Sequence, residues 1–82
     1  MTTQIEATQA ANEAIDPILQ FFRYDHLQAG LAVRSKPFFD LAHMIASDYP
    51  RNAERTVALR KLLEAKDAAV RSVVFRSIEQ AH

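Results

Sequence analysis

Apolar residues recur along this chain with helical spacing, in stretches divided by proline-bearing breaks. Residues 3–14, TQIEATQAANEA, are good helix formers with no Gly or Pro. Their apolar content is thin, Ile5 and several alanines, so a helix here must dock on something to persist. Asp16-Pro17 then reads as a helix start, with Asp16 as N-cap and Pro17 in the first turn, or as a kink that continues the first helix. PILQFF is the densest apolar patch of the N-terminal third. Residues 22–30, FRYDHLQAG, are the least regular stretch, hold the only glycine, and predict a connector.

A second helix is predicted from about Gln28 to Asp48. Pro37 lies inside it: either the helix starts there, capped by Ser35 or Lys36, or it is kinked there. Phe38, Leu41 and Ile45 form a helical stripe, with Phe39, Ala42 and Ala46 beside them. Asp48-Tyr49-Pro50-Arg51-Asn52 is the clearest punctuation, because Pro50 disfavours helix at Tyr49 and Asn52 is a good N-cap. A third helix is predicted from Ala53 to about Gln80, about 40 Å long. Its heptad seam reads Thr56, Leu59, Leu63, Lys66, Val70, Val73, Ser77, widened by Leu62, Ala69, Val74 and Ile78. Lys66 on that seam reads as a snorkelling lysine, or as a register or ligand residue at a subunit junction.

The fold expected is all-α: a single domain, 1–82, in which an N-terminal helical segment (1–21) packs on a long antiparallel helical hairpin (22–82). The third helix is longer than a globule of this size is wide. Val73, Val74, Phe75 and Ile78 have too little of their own chain to cover them, which predicts a homo-oligomer.

Composition narrows the function classes. The chain has 82 residues, 49% hydrophobic and 24% charged, with no cysteine and one glycine. That excludes disulfide staples, thiolate metal sites and glycine-rich phosphate loops. No apolar run approaches a membrane span, and MTTQIEATQAANEA does not read as a secretory leader, so a soluble cytoplasmic protein is expected. Ten Lys+Arg balance ten Asp+Glu. The balance is uneven along the chain: residues 1–22 carry Glu6, Glu13 and Asp16 with no cation, whereas residues 51–82 carry seven cations against four acids. The two ends can attract each other, within a chain or between chains. Interleaved signs make a poor duplex-DNA footprint.

Catalytic constellations are lacking. No serine sits in a nucleophile elbow. Asp40 and His43 share a helix face, but no second pair completes a metal site, so neither metal nor cofactor is expected. Binding chemistry is better represented. Phe22-Arg23-Tyr24-Asp25-His26-Leu27 sets aromatic rings beside cations, a combination that stacks a base and meets its phosphate. Ser35-Lys36-Pro37 places a cation at a predicted helical start, and Pro50-Arg51-Asn52-Ala53-Glu54-Arg55-Thr56 does the same for the third helix. Arg51 and Arg55 lie one turn apart, and guanidinium suits phosphate. The structural alternatives are that Tyr24 plugs the hairpin base, Lys36 is solvated, and Arg55 pairs with Asp48 or Glu54.

Three stretches, Phe22-Arg23-Tyr24-Asp25-His26-Leu27, Ser35-Lys36-Pro37-Phe38, and Pro50-Arg51-Asn52-Ala53 followed by ERTVALRKLLEAKDAAVR to Arg71, resemble a phage-encoded helical-hairpin family. It comprises the anti-CBASS cyclic-oligonucleotide sponges and the related hairpin of Thoeris anti-defence proteins. The resemblance covers residues 22–74, and departs from the family at Gln28-Ala29-Gly30, where a proline pair is expected. It implies a non-enzymatic protein that acts in the host bacterial cytoplasm. Such a protein sequesters cyclic di- and trinucleotide (cGAMP-type) immune messengers in pockets between protomers of a hexamer. It also implies that Tyr24 stacks on a base and Lys36 meets phosphate; with the connector and helix-start residues read above, His26, Arg51, Arg55, Thr56 and Arg60 are the further ligand-binding residues expected. Arg60, Arg55 and Arg76, in that order, are candidates for an arginine near a three-fold axis. The alternative from another class is a non-catalytic oligomerisation or host-protein interaction module.

Overall fold

The computed structural model describes the backbone of residues 4–80 and the side chains of residues 8–75. In chain order these form helix α1 (Gln4–Ile15), a 3-10 helix (Pro17–Phe22), α2 (Ala29–Asp48) and α3 (Ala53–Gln80). Among the described residues there is no strand, and no helix is long and apolar enough to cross a membrane. The side chains of Ile5, Arg76, Ser77 and Ile78, singled out above, lie outside the described residues.

PILQFF is a 3-10 helix, and its sequence explains why. At three residues per turn, side chains at i and i+3 eclipse. Leu19 and Phe22 therefore point the same way, and both are fully buried. The chain enters this element directly from α1: the Asp16 N–H donates to the Asn12 carbonyl at 2.8 Å, and the Asp16 carbonyl accepts from the Leu19 N–H at 3.0 Å. Asp16 occupies the N-cap position as expected, but its side chain makes no cap hydrogen bond. Both of its oxygens are engaged elsewhere, as described below.

The second helix spans nearly the expected residues, and of the two readings of Pro37 the helical start is set aside. α2 runs unbroken from Ala29 to Asp48 with Pro37 in its interior, and its N-cap position is Gln28. Pro37 removes the N–H that would bond the Val33 carbonyl. Val33 is 74% exposed and Pro37 lies on the same outer face, so water can take up that acceptor. Ser35, a candidate cap, is instead fully buried. The core phase of α2 also differs from the expected stripe. Ala42 is buried and Phe38, Phe39, Ile45 and Ala46 flank it, whereas Leu41 is 39% exposed.

The core comprises Leu19, Phe22, Ala42 and Leu59, with Leu62 and Leu63 packed beside it. The 3-10 helix touches both α2 and α3, which also pack on each other. α1 packs its backbone against the 3-10 helix and reaches α2 through a side-chain contact between Asn12 and His43. Lys66 resolves the ambiguity of its seam position. Its side chain is 12% exposed, and its ammonium donates to the Phe21 carbonyl at 2.6 Å, tying α3 to the end of the 3-10 helix. The chain measures 46 × 37 × 15 Å. Helices pack about 8–10 Å apart, so that thickness holds two layers at most and little is deeply buried.

Phe22→Ala should cost about 3–5 kcal/mol, most of the stability of a domain with so small a core. Phe21→Ala, at a position 57% exposed, should cost within about 0.5 kcal/mol. Urea unfolding followed by circular dichroism checks both; equal losses would contradict the 3-10 register.

Candidate functional site

The N-terminus of α3 is built by its local sequence. Tyr49, ahead of Pro50, is extended at φ −109°, ψ 146°. Asn52 then caps the helix, its side-chain oxygen accepting the Arg55 N–H at 3.0 Å. The Thr56 hydroxyl donates to the Asn52 carbonyl at 3.3 Å. This cap aims Arg55 inward, where its side chain is only 5% exposed.

Arg55 meets Asp16 in a fork, Nη1 to Oδ1 and Nη2 to Oδ2, each at 3.0 Å. Its Nη2 also donates to the Ala46 carbonyl at 2.6 Å. Arg51, on the surface, donates to Asp16 Oδ1 at 2.8 Å and to the Ile15 carbonyl at 3.1 Å. Hydrogen bonding from Arg55, reinforced by the charges of Arg55 and Arg51, holds the Asp16 carboxyl below its ordinary value, although burial opposes this. The same hydrogen bond raises the proton affinity of Arg55. Arg55 therefore pairs with Asp16, and neither Asp48 nor Glu54 is its partner.

A cavity of about 220 Å³ opens beside this pair. Arg51, Arg55, Thr56 and Arg60 line it together with Asp16, and Pro17 and Leu59 supply apolar wall. Four of the seven ligand residues expected from the sequence thus converge on one cavity at a helix N-terminus. Its three guanidinium groups against one carboxylate suit a phosphate-type anion.

The remaining three lie elsewhere. Tyr24 is half-buried, its ring edge-on to Phe39 with centroids 5.2 Å apart and planes at 77°. Lys36 is exposed, and its ammonium bonds Asp40 Oδ2 at 2.7 Å. That hydrogen bond raises the proton affinity of Lys36. Because Lys36 is interior to α2, no helix N-terminus assists it there. His26 is exposed, with Nδ1 3.9 Å from Asp25 Oδ1. Lys36 and Ala46, whose carbonyl holds Arg55, are about 15 Å apart along α2. One chain therefore presents two separate clusters.

Sequence reasoning did not identify Asp16 as the counter-ion, although the acidic start and basic end of the chain carried that signal. It also missed His43 as a half-buried group. Asn12 Nδ2 lies 3.3 Å from His43 Nδ1, and Phe39 packs on the ring at 4.2 Å. His43 Nε2 is buried without a partner. Burial lowers the His43 proton affinity, against the opposing charges of Glu13 and Asp40. The Asn12–His43 pair joins α1 to α2 where a cavity of about 550 Å³ separates them. On the other side of α2, Leu41, Met44, Tyr49 and Ala58 line an apolar groove of about 420 Å³. Compared with family models, curated proteins and solved structures, the chain matches none.

The two titrating groups predict two acid limbs. The unfolded chain holds the His43 proton more tightly than the folded one, so stability should decline as pH falls through 6.5 and below. His43→Gln should flatten that limb. The Asp16 contribution is complete above 3.8 and is lost as pH falls further, so Asp16→Asn should be less stable near neutrality yet decline less at the acid end. Melting temperatures from about pH 8 to about pH 2.5 test both assignments.

Proposed function

We propose that this chain is a non-catalytic phage counter-defence sponge, binding cyclic di- and trinucleotide immune messengers in the host bacterial cytoplasm. The observation that carries this reading is the convergence of Arg51, Arg55, Thr56 and Arg60 on one cavity, within the run that resembles the anti-CBASS family. The cavity is smaller than the ~300–1,000 Å³ typical of sites that enclose a whole small molecule. It fits a phosphate group, with the bases lying outside. In this reading the antiparallel hairpin assembles as a homo-oligomer, a hexamer by family resemblance, and neighbouring protomers complete the pocket. Support for assembly comes from apolar side chains left in water: Phe21 is 57% exposed, Val74 50% and Phe75 62%. Sequestration requires no catalytic group, cofactor or metal.

The engagement of Asp16 with both Arg51 and Arg55 favours a second reading, in which the arginine cluster is purely structural and the chain is an oligomerisation or host-interaction module. Calorimetry against a panel of cyclic di- and trinucleotides separates the two readings: binding supports the sponge, and an oligomer that binds none of them supports the module.

Under the sponge reading, Tyr24→Ala should weaken cyclic dinucleotide binding roughly tenfold or more, since base–aromatic stacking contributes ~1–3 kcal/mol. Lys36→Ala should weaken it less, because Asp40 already competes for the ammonium. Arg71→Ala, at an exposed position, serves as the control and should change little. Unaltered affinity in both the Tyr24 and the Lys36 variant would refute these two assignments.

Assembly has its own test. Sedimentation at micromolar concentration should give a mass well above 9.3 kDa, and Val74→Glu should lower it, because an unpaired charge in an interface is costly. A monomeric wild type would remove the oligomer from this account.

A further inference from the structure

The arginine cavity already contains an anion, supplied by the chain itself. Asp16 sets both carboxylate oxygens 3.0 Å from the Arg55 guanidinium and one of them 2.8 Å from Arg51. A guanidinium takes a phosphate in the same fork geometry. The match is incomplete. Arg55 Nε–H is buried without a partner, on a side chain only 5% exposed. With Arg60 included, the lining carries three cations against one carboxylate.

From these contacts we propose that Asp16 is an internal stand-in occupying a phosphate-group site, and that a ligand phosphate displaces it from Arg55 and Arg51. The proposal rests on the reading of this cavity as an anion site and adds how the site is regulated. A phosphate offers more acceptor oxygens and more charge than a carboxylate. It can meet Arg51, Arg60 and the Thr56 hydroxyl in addition to the Arg55 fork. Displacement also has a mechanical consequence. Asp16 joins α1 to the 3-10 helix through backbone bonds to Asn12 and Leu19, and its carboxylate tethers that junction to α3, while Lys66 on the Phe21 carbonyl holds the far end of the 3-10 helix. A ligand that takes over Arg55 and Arg51 releases that tether. Asn12–His43 and Glu13–Arg23, the latter at 2.6 Å, still hold the segment locally. Ligand binding is thereby coupled to the docking of the N-terminal segment.

Inorganic pyrophosphate at constant ionic strength is the probe. Calorimetry compares wild type with Asp16→Asn and Arg60→Gln, and NMR follows the Arg55 Nε–H signal and the amides of residues 15–19. Asp16→Asn should bind pyrophosphate about tenfold or more tightly than wild type, because a competing charge next to the ligand is gone. Arg60→Gln should bind it more weakly. In wild type, pyrophosphate should shift both the Arg55 signal and the residue 15–19 amides. If Asp16→Asn fails to fold, the wild-type spectra decide alone. Equal affinity in wild type and Asp16→Asn overturns the proposal, as does binding that leaves the Arg55 and residue 15–19 signals unmoved, or no pyrophosphate binding at all. A failure of the sponge reading looks different: pyrophosphate displaces Asp16 while cyclic nucleotides do not bind.

Discussion

The Arg55 guanidinium is the point at which three elements meet. It takes the carboxylate at the start of the 3-10 helix, the Ala46 carbonyl near the end of α2, and its place in the first turn of α3. A charge so well buried is tolerable only when it is paired and hydrogen-bonded, because desolvation otherwise outweighs its attractions. Removing one partner of such a pair typically costs about 3–5 kcal/mol, comparable to the whole stability expected of a core this small. The pair therefore acts less as an added attraction than as a condition on the geometry: the elements must arrive together or the charge is stranded.

Apolar packing provides the rest, and there is little of it. Among the described residues, four apolar side chains are fully buried, and two of them come from six residues of 3-10 helix. That short element wedges against both α2 and α3, and the Lys66 ammonium on the Phe21 carbonyl fastens its far end. Large apolar side chains on the remaining faces, such as Val33 and Phe75, stay in water. A chain whose own core is so shallow gains more from a partner surface than a thicker domain would.

The polar chemistry is divided in a related way. Cations and their acceptors are mostly matched within the chain: Arg23 with Glu13, Lys36 with Asp40, Arg51 and Arg55 with Asp16. The cavity at the start of α3 departs from this pairing, because Arg60 adds a third cation to a lining with one acid.

The element sequence was legible from the chain alone because its signals are local. Asn52 as the cap of α3, Pro50 as the break before it, the length of α3, and the connector around Tyr24 each follow from preferences within a few residues. The placement of Arg51 one turn from Arg55 was legible too, being a matter of helical spacing. The rest depended on what lies across space. Whether Pro37 begins a helix or sits within one turned on Val33 facing water. Whether PILQFF is α or 3-10 turned on the two neighbours that Leu19 and Phe22 reach together. The partner of Arg55 lies 39 residues away, beyond any local rule, and only the packing of the 3-10 helix against α3 selects Asp16 over nearer acids. Sequence determined which groups were charged and which turns were possible; tertiary structure decided which charges had to leave water, and so which of them had to meet.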